Sequence, residues 1–157
     1  MNLNQLFDVV RGFNPEGSGP SIPESFVPKA TLSNSVAALV PGHVVYIYSD
    51  GTVDVATTPN MSSASPVGVW MVVMANDFDN TFTGKVVCVR GNVMVKTDVI
   101  DTSALVVGSL VSFSAGKLIL AASTNQVVGE VVEDNRTAGL ADGTITVMFT
   151  GGCGRAF

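Results

Sequence analysis

From about residue 36 to 151 the chain alternates short apolar runs, rich in Val, with clusters of Gly, Asn, Asp and Ser. Runs of this length and composition predict strands, and the polar clusters predict turns. The expected strands cover 44–48, 53–56, 67–74, 85–90, 92–96, 110–114, 117–121, 127–132 and 144–149. SDGT at 49–52 and SAGK at 114–117 are hairpin signals between such runs. The nearest approach to a helical period, at 98–105, is short and β-branched.

Ahead of this body, residues 1–35 read as an N-terminal arm, and residues 152–157 after it read as a flexible Gly-rich tail. In the arm, Leu3, Leu6, Phe7, Val10 and Phe13 fall at i, i+3, i+4 spacing, which predicts one short amphipathic helix. So short a helix is unstable alone in water and needs a surface to dock on. From 14 to 35, Pro15, Pro20, Pro23 and Pro28 interrupt any helix, yet Ile22, Phe26 and Val27 are apolar. A free linker has no use for them. Two readings are open: an extended arm laid in a partner's groove, or a strap across the protein's own core.

The body repeats itself. PGHVVYIYSDGTVDVAT, starting at Pro41, aligns with VGSLVSFSAGKLILAAS, starting at Val107. Gly42 falls on Gly108, Val45 on Val111, Ile47 on Phe113, Gly51 on Gly116 and Val53 on Leu118. Each copy continues with a spacer, a Val-Gly strand (66–73 and 127–134, matched through Gly68 and Gly129) and a last strand after a glycine (84–89 and 143–148). The fold expected is therefore all-β: a small β-barrel or sandwich built from a duplicated β unit, since neither copy can bury its apolar face alone.

Composition narrows the function. Hydrophobic residues make up 46% and charged residues 13%, about half the usual charged share, so much surface is expected to be covered, partly by other subunits. The eight basic residues are scattered along a chain of net charge −5, which argues against direct nucleic-acid binding. No apolar run approaches the length of a membrane span, and MNLNQLFDVVRG lacks the layout of a secretory signal. The expectation is a chain made in a cytoplasm that stays soluble until it meets its partner.

The spacing of Gly, Val and turns through 42–57, 66–69, 84–95, 107–121, 127–132 and 142–149 resembles the capsid decoration (cement) proteins of tailed bacteriophages. The resemblance covers the body and none of the arm. It implies a small β-barrel or tulip-like body with an extended N-terminal arm, added to the outside of the expanded head. It also implies a homotrimer that bridges neighbouring major capsid protein subunits, hence a virion component. On this reading Leu3, Leu6, Phe7, Val10, Phe13, Ile22, Phe26 and Val27 are the capsid contacts of the arm.

Chemistry offers little against a non-enzymatic reading. His43 is the sole histidine and has no nucleophile elbow to serve, so it reads as a turn or strand-edge residue. Asp77 and Asp79 in NDFDN lack the other ligands of a Ca²⁺ loop and read as a solvated turn. Glu130, Glu133 and Asp134 form an acidic strand end: a solvated rim or a contact for a basic partner. Cys88 reads as a buried small hydrophobe, Cys153 lies in the tail, and neither has a metal-ligand neighbourhood. No metal, nucleotide or other cofactor is expected. Trp70 is either core or an interface anchor. The competing function is a carbohydrate-binding or adhesion module of a phage tail or surface protein, for which Tyr46 and Tyr48 would share an outer face.

Overall fold

The computed structural model describes residues 9–12 (backbone only), 23–57, 69–74, 84–101, 104–123, 125–136 and 143–151. The strands are β1 (Val9–Gly12), β2 (Glu24–Pro28), β3 (Val44–Ile47), β4 (Thr52–Val55), β5 (Val69–Met74), β6 (Val86–Val89), β7 (Val93–Thr97), β8 (Leu110–Ser114), β9 (Lys117–Leu120), β10 (Gly129–Asp134) and β11 (Ile145–Phe149). β3 to β11 fall on the Val-rich runs, so the all-β expectation holds. The helix expected over 1–13 does not form at residues 9–12, which pair antiparallel with β7. The apolar spacing there serves a strand because a sheet edge is at hand to complete its hydrogen bonds.

β2, β4, β3, β5 and β6 close into a five-stranded barrel, and β1, β7, β11, β10, β8 and β9 form a second, six-stranded sheet. The duplication is visible in the pairing. The first copy runs β4-β3-β5-β6 and the second β9-β8-β10-β11. The registers agree residue by residue: Val45 faces Trp70 as Val111 faces Gly129, and Val72 faces Cys88 as Val131 faces Val147. The β5–β6 and β10–β11 pairs slip at the same place, between Val72 and Met74 and between Val131 and Glu133. Gly129 therefore matches Trp70, not Gly68 as the sequence alignment has it; Gly68 lies outside the described residues.

Each copy also recruits a strand from before it. β2 pairs antiparallel with β6 and parallel with β4, closing the first barrel. β7 pairs antiparallel with β11, and its continuation makes one parallel bridge to β9, at Ile100 and Leu118. The second unit is thus a curled sheet that is almost, but not fully, shut.

One parity of the first unit, Val45, Ile47, Val53, Val55, Trp70, Val72, Val86 and Cys88, forms a single buried cluster that fills the barrel. The opposite parity, including Val44, Tyr46, Val69, Met71 and Val89, is buried with the inward side chains of the second sheet, among them Phe113, Leu118, Val131 and Val147. The curled second sheet therefore wraps the outer face of the first barrel, and Tyr46 meets Phe113 edge-on at 6.0 Å. Both faces of the barrel strands are apolar for this reason, which explains the near-continuous Val runs.

Gly42 sits at this seam. Its φ is +98°, and a Cβ there would lie 1.8 Å from Thr97 Oγ1. Both the left-handed backbone and the close approach require glycine.

Candidate functional site

Residues 24–28, assigned on sequence to the arm, are a barrel strand. Phe26 is half-buried and meets Trp70 edge-on at 5.3 Å inside the barrel. Val27 stays exposed. Beyond β2 the chain folds back over the same core, adding Leu32, Val36 and the buried Leu39. It is pinned by Asp54, a buried carboxylate on β4. Asp54 accepts hydrogen bonds from the N–H and Oγ of Ser33, both at 2.8 Å, and Lys29 Nζ lies 3.7 Å away. The same ammonium sits 3.5 Å from the centre of the Tyr48 ring. From residue 23 onward the strap reading describes the segment. Of the other proposed arm contacts, Leu3, Leu6, Phe7, Phe13 and Ile22 lie outside the described residues, and of Val10 only the backbone is described.

An open groove of about 630 Å³ runs between this strap, at 28–40, and residues 84–86 at the start of β6. Its lining residues are mostly aliphatic, with Thr31 and Ser35 as hydroxyl residues and Lys29 and Lys85 as cations.

His43 takes up a turn. It is buried, its N–H donates to Val40 O, and its Nδ1 accepts the Val40 N–H at 2.9 Å. Burial lowers its pKa from the ordinary imidazole value, which favours the neutral form that this acceptor role needs. Its ring is thus spent on closing a turn.

Cys88 is a free, buried thiol inside the barrel, and burial pushes its pKa far up, making it a poor nucleophile. Asp77, Asp79 and Cys153 lie outside the described residues. No group of three or more candidate metal ligands occurs among the described residues. No helix there is long and apolar enough to cross a membrane.

The acidic strand end resolves into local pairs. Arg136 binds Asp134 through Nε and one terminal nitrogen, both at 2.8 Å, and hydrogen-bonds Leu105 O. The Arg136 hydrogen bond holds Asp134 down to about 2. Glu133 accepts a hydrogen bond from Thr146.

Trp70 is core, and the unpartnered Nε1 on its buried ring is the cost of filling the barrel with an indole. Tyr46 is buried and Tyr48 lies under Lys29, so the two do not form an exposed aromatic face.

Among the described residues, several large apolar side chains are exposed. Val106, Val107, Leu110 and Leu120 are 58%, 61%, 44% and 46% exposed, near one end of the second sheet. They lie in and beside the β8–β9 hairpin, where Val111 pairs with Leu120. Sequence reading missed this patch, because a Val or Leu in a β run gives no sign of whether a neighbour covers it. The alternation in β8 was the usable signal: Leu110 has the parity opposite to the inward Val111 and Phe113. No protein-family model matches the chain, and no curated protein sequence matches it significantly.

Proposed function

We propose that this chain is a non-enzymatic capsid decoration protein of a tailed bacteriophage, acting on the outside of the expanded head as a homotrimer that bridges major capsid protein subunits. The observation that carries the reading is the duplicated five-strand unit, which reproduces the small-barrel body implied by the sequence resemblance. Three described side chains of types that often do chemistry have structural roles here. His43 and Cys88 are buried in structural roles, and Asp54 is committed to the strap. The apolar patch around Leu110 and Leu120 supports a chain that works by contact with other subunits.

The adhesion alternative rested on Tyr46 and Tyr48 as a sugar platform, and the burial of Tyr46 removes that support.

The test is co-sedimentation with expanded heads, comparing the full chain with a truncation that begins at Pro23. This cut removes the proposed arm contacts Leu3, Leu6, Phe7, Val10, Phe13 and Ile22 together with the edge strand β1, but keeps β2 in the barrel and leaves β7 paired with β11. The full chain should bind saturably, and the truncated chain should stay folded and bind at least tenfold more weakly. Equal binding by both forms would assign attachment to the body alone.

A further inference from the structure

We propose that the open end of the β8–β9 hairpin, where Leu110 and Leu120 are exposed on opposite faces of the sheet, is a self-association surface that receives the β3–β4 turn of a second copy of this chain. The proposal deepens the homotrimer of the preceding section and rests on that part of it.

The internal duplication shows such a contact once already made. Within one molecule the β8–β9 turn of the second unit docks on the first. Gly116 N–H donates to Ala56 O at 2.8 Å, Ala115 N–H donates to Thr57 O, and Gly116 O accepts from Val44 N–H at 2.8 Å. The fit is tight: a Cβ on Gly116 would come within 2.5 Å of Val55 Cγ1 and 3.3 Å of His43 Cδ2. Val55, whose side chain lies beneath the turn, is buried, and Val44 meets the turn through its backbone while its side chain packs in the other core cluster.

The strand registers map each part of this contact onto the other unit. Val44 corresponds to Leu110 and Val55 to Leu120, the two exposed leucines of the second sheet. The docking turn has its counterpart at residues 48–51. Gly51 adopts φ +79° where Gly116 has +78°, yet no described residue lies within 4 Å of its Cβ position. Each molecule thus carries one occupied turn-and-platform contact and both halves of a second, unmade one, on different units.

Two differences shape the contact. The first turn is one residue longer, and its Gly51 N–H is bonded inward to Tyr48 O at 3.0 Å. The donors for the Ala121 edge are then the backbone N–H groups of Ser49 and Asp50. In addition, β2 shuts the first barrel, so it cannot wrap a neighbour as the second sheet wraps the first unit. The contact is therefore a small, head-to-tail one. Such contacts close into rings when the rotation allows, and a ring of three satisfies every patch.

Two cysteine variants test this in a Cys153→Ser background: Asp50→Cys on the turn and Leu120→Cys on the patch. Both replaced side chains are exposed in the monomer. Mild oxidation of an equimolar mixture should give covalent dimers on a non-reducing gel, at least fivefold above either variant alone. In parallel, Leu120→Lys should raise the concentration for half-association in light scattering about tenfold, with an unchanged melting temperature at low concentration. Cross-linking by Leu120→Cys alone at the level of the mixture would show patch-to-patch pairing and overturn the proposal. So would a wild-type oligomer that leaves the mixture uncross-linked. A wild-type chain that is monomeric at every concentration overturns this contact and the free trimer, while leaving head binding to its own assay.

Discussion

Replacing Phe26 by Ala tests whether residues 24–28 belong to the barrel or to a detachable arm. Truncating a fully buried Phe costs about 3–5 kcal/mol. Phe26 is half-buried, which scales that cost to about 2 kcal/mol. Its edge-on contact with Trp70 at 5.3 Å adds about 0.5–1.5 kcal/mol. The expected total of about 2.5–3.5 kcal/mol is a large part of the 5–15 kcal/mol that domains of this size possess. Trp70 is the sole tryptophan, so its emission reports on the barrel interior directly. Urea unfolding followed by fluorescence and by far-ultraviolet circular dichroism should show a lower midpoint and a red-shifted native emission. A double-mutant cycle with Trp70→Ala, read by circular dichroism, should return a coupling of about 1 kcal/mol. A cost below about 0.5 kcal/mol with unshifted emission would refute the placement of β2 and restore the arm reading for Phe26.

Four further outcomes follow from the same geometry. Asp54→Ala leaves Ser33 without its acceptor and should cost about 2–3 kcal/mol in denaturant unfolding, with Ser33→Ala costing less because it removes only the Oγ bond. Gly42→Ala should cost more than about 3 kcal/mol or abolish soluble expression, since it meets both a positive φ and the Thr97 hydroxyl. The lowered pKa of His43 means that the unfolded state binds more protons, so stability is full above about pH 6.5 and falls as pH drops through the folded-state value. Melting temperatures from pH 8 to 5 should therefore slope less steeply in His43→Gln than in wild type. In Cys153→Ser, Ellman's reagent should find no reactive thiol in the native protein and one after denaturation, because Cys88 is sealed in the barrel.

Much of the body was readable because its strands are punctuated. The turns at 49–51 and 115–116 carry glycines with positive φ, and Val-rich runs between such turns leave few alternatives to strands. The repeat was readable for the same reason, through Gly42 with Gly108 and Gly51 with Gly116. It slipped at Gly129, where the second unit has a glycine and the first a tryptophan. A Cβ on Gly129 would lie 2.3 Å from Met148 O, so backbone proximity, invisible in sequence, set that residue. β2 was missed because Pro23 and Pro28 bracket a segment with little alternation. Pro28 is tolerated at its terminal position, where the missing N–H is not needed. Asp54 looked like an ordinary surface carboxylate between Val53 and Val55, and only the return of the strap makes it a buried acceptor.

The central claim is attachment to a phage head, and one sedimentation experiment addresses it most directly. Purified chain is mixed with expanded tailed-phage heads that lack a decoration protein, and with unexpanded precursors, and bound protein is quantified after pelleting. Saturable binding to expanded heads, in a stoichiometry divisible by three per local three-fold position and absent from precursors, is the expected result. A folded, soluble chain that stays in the supernatant with both particles would contradict the account.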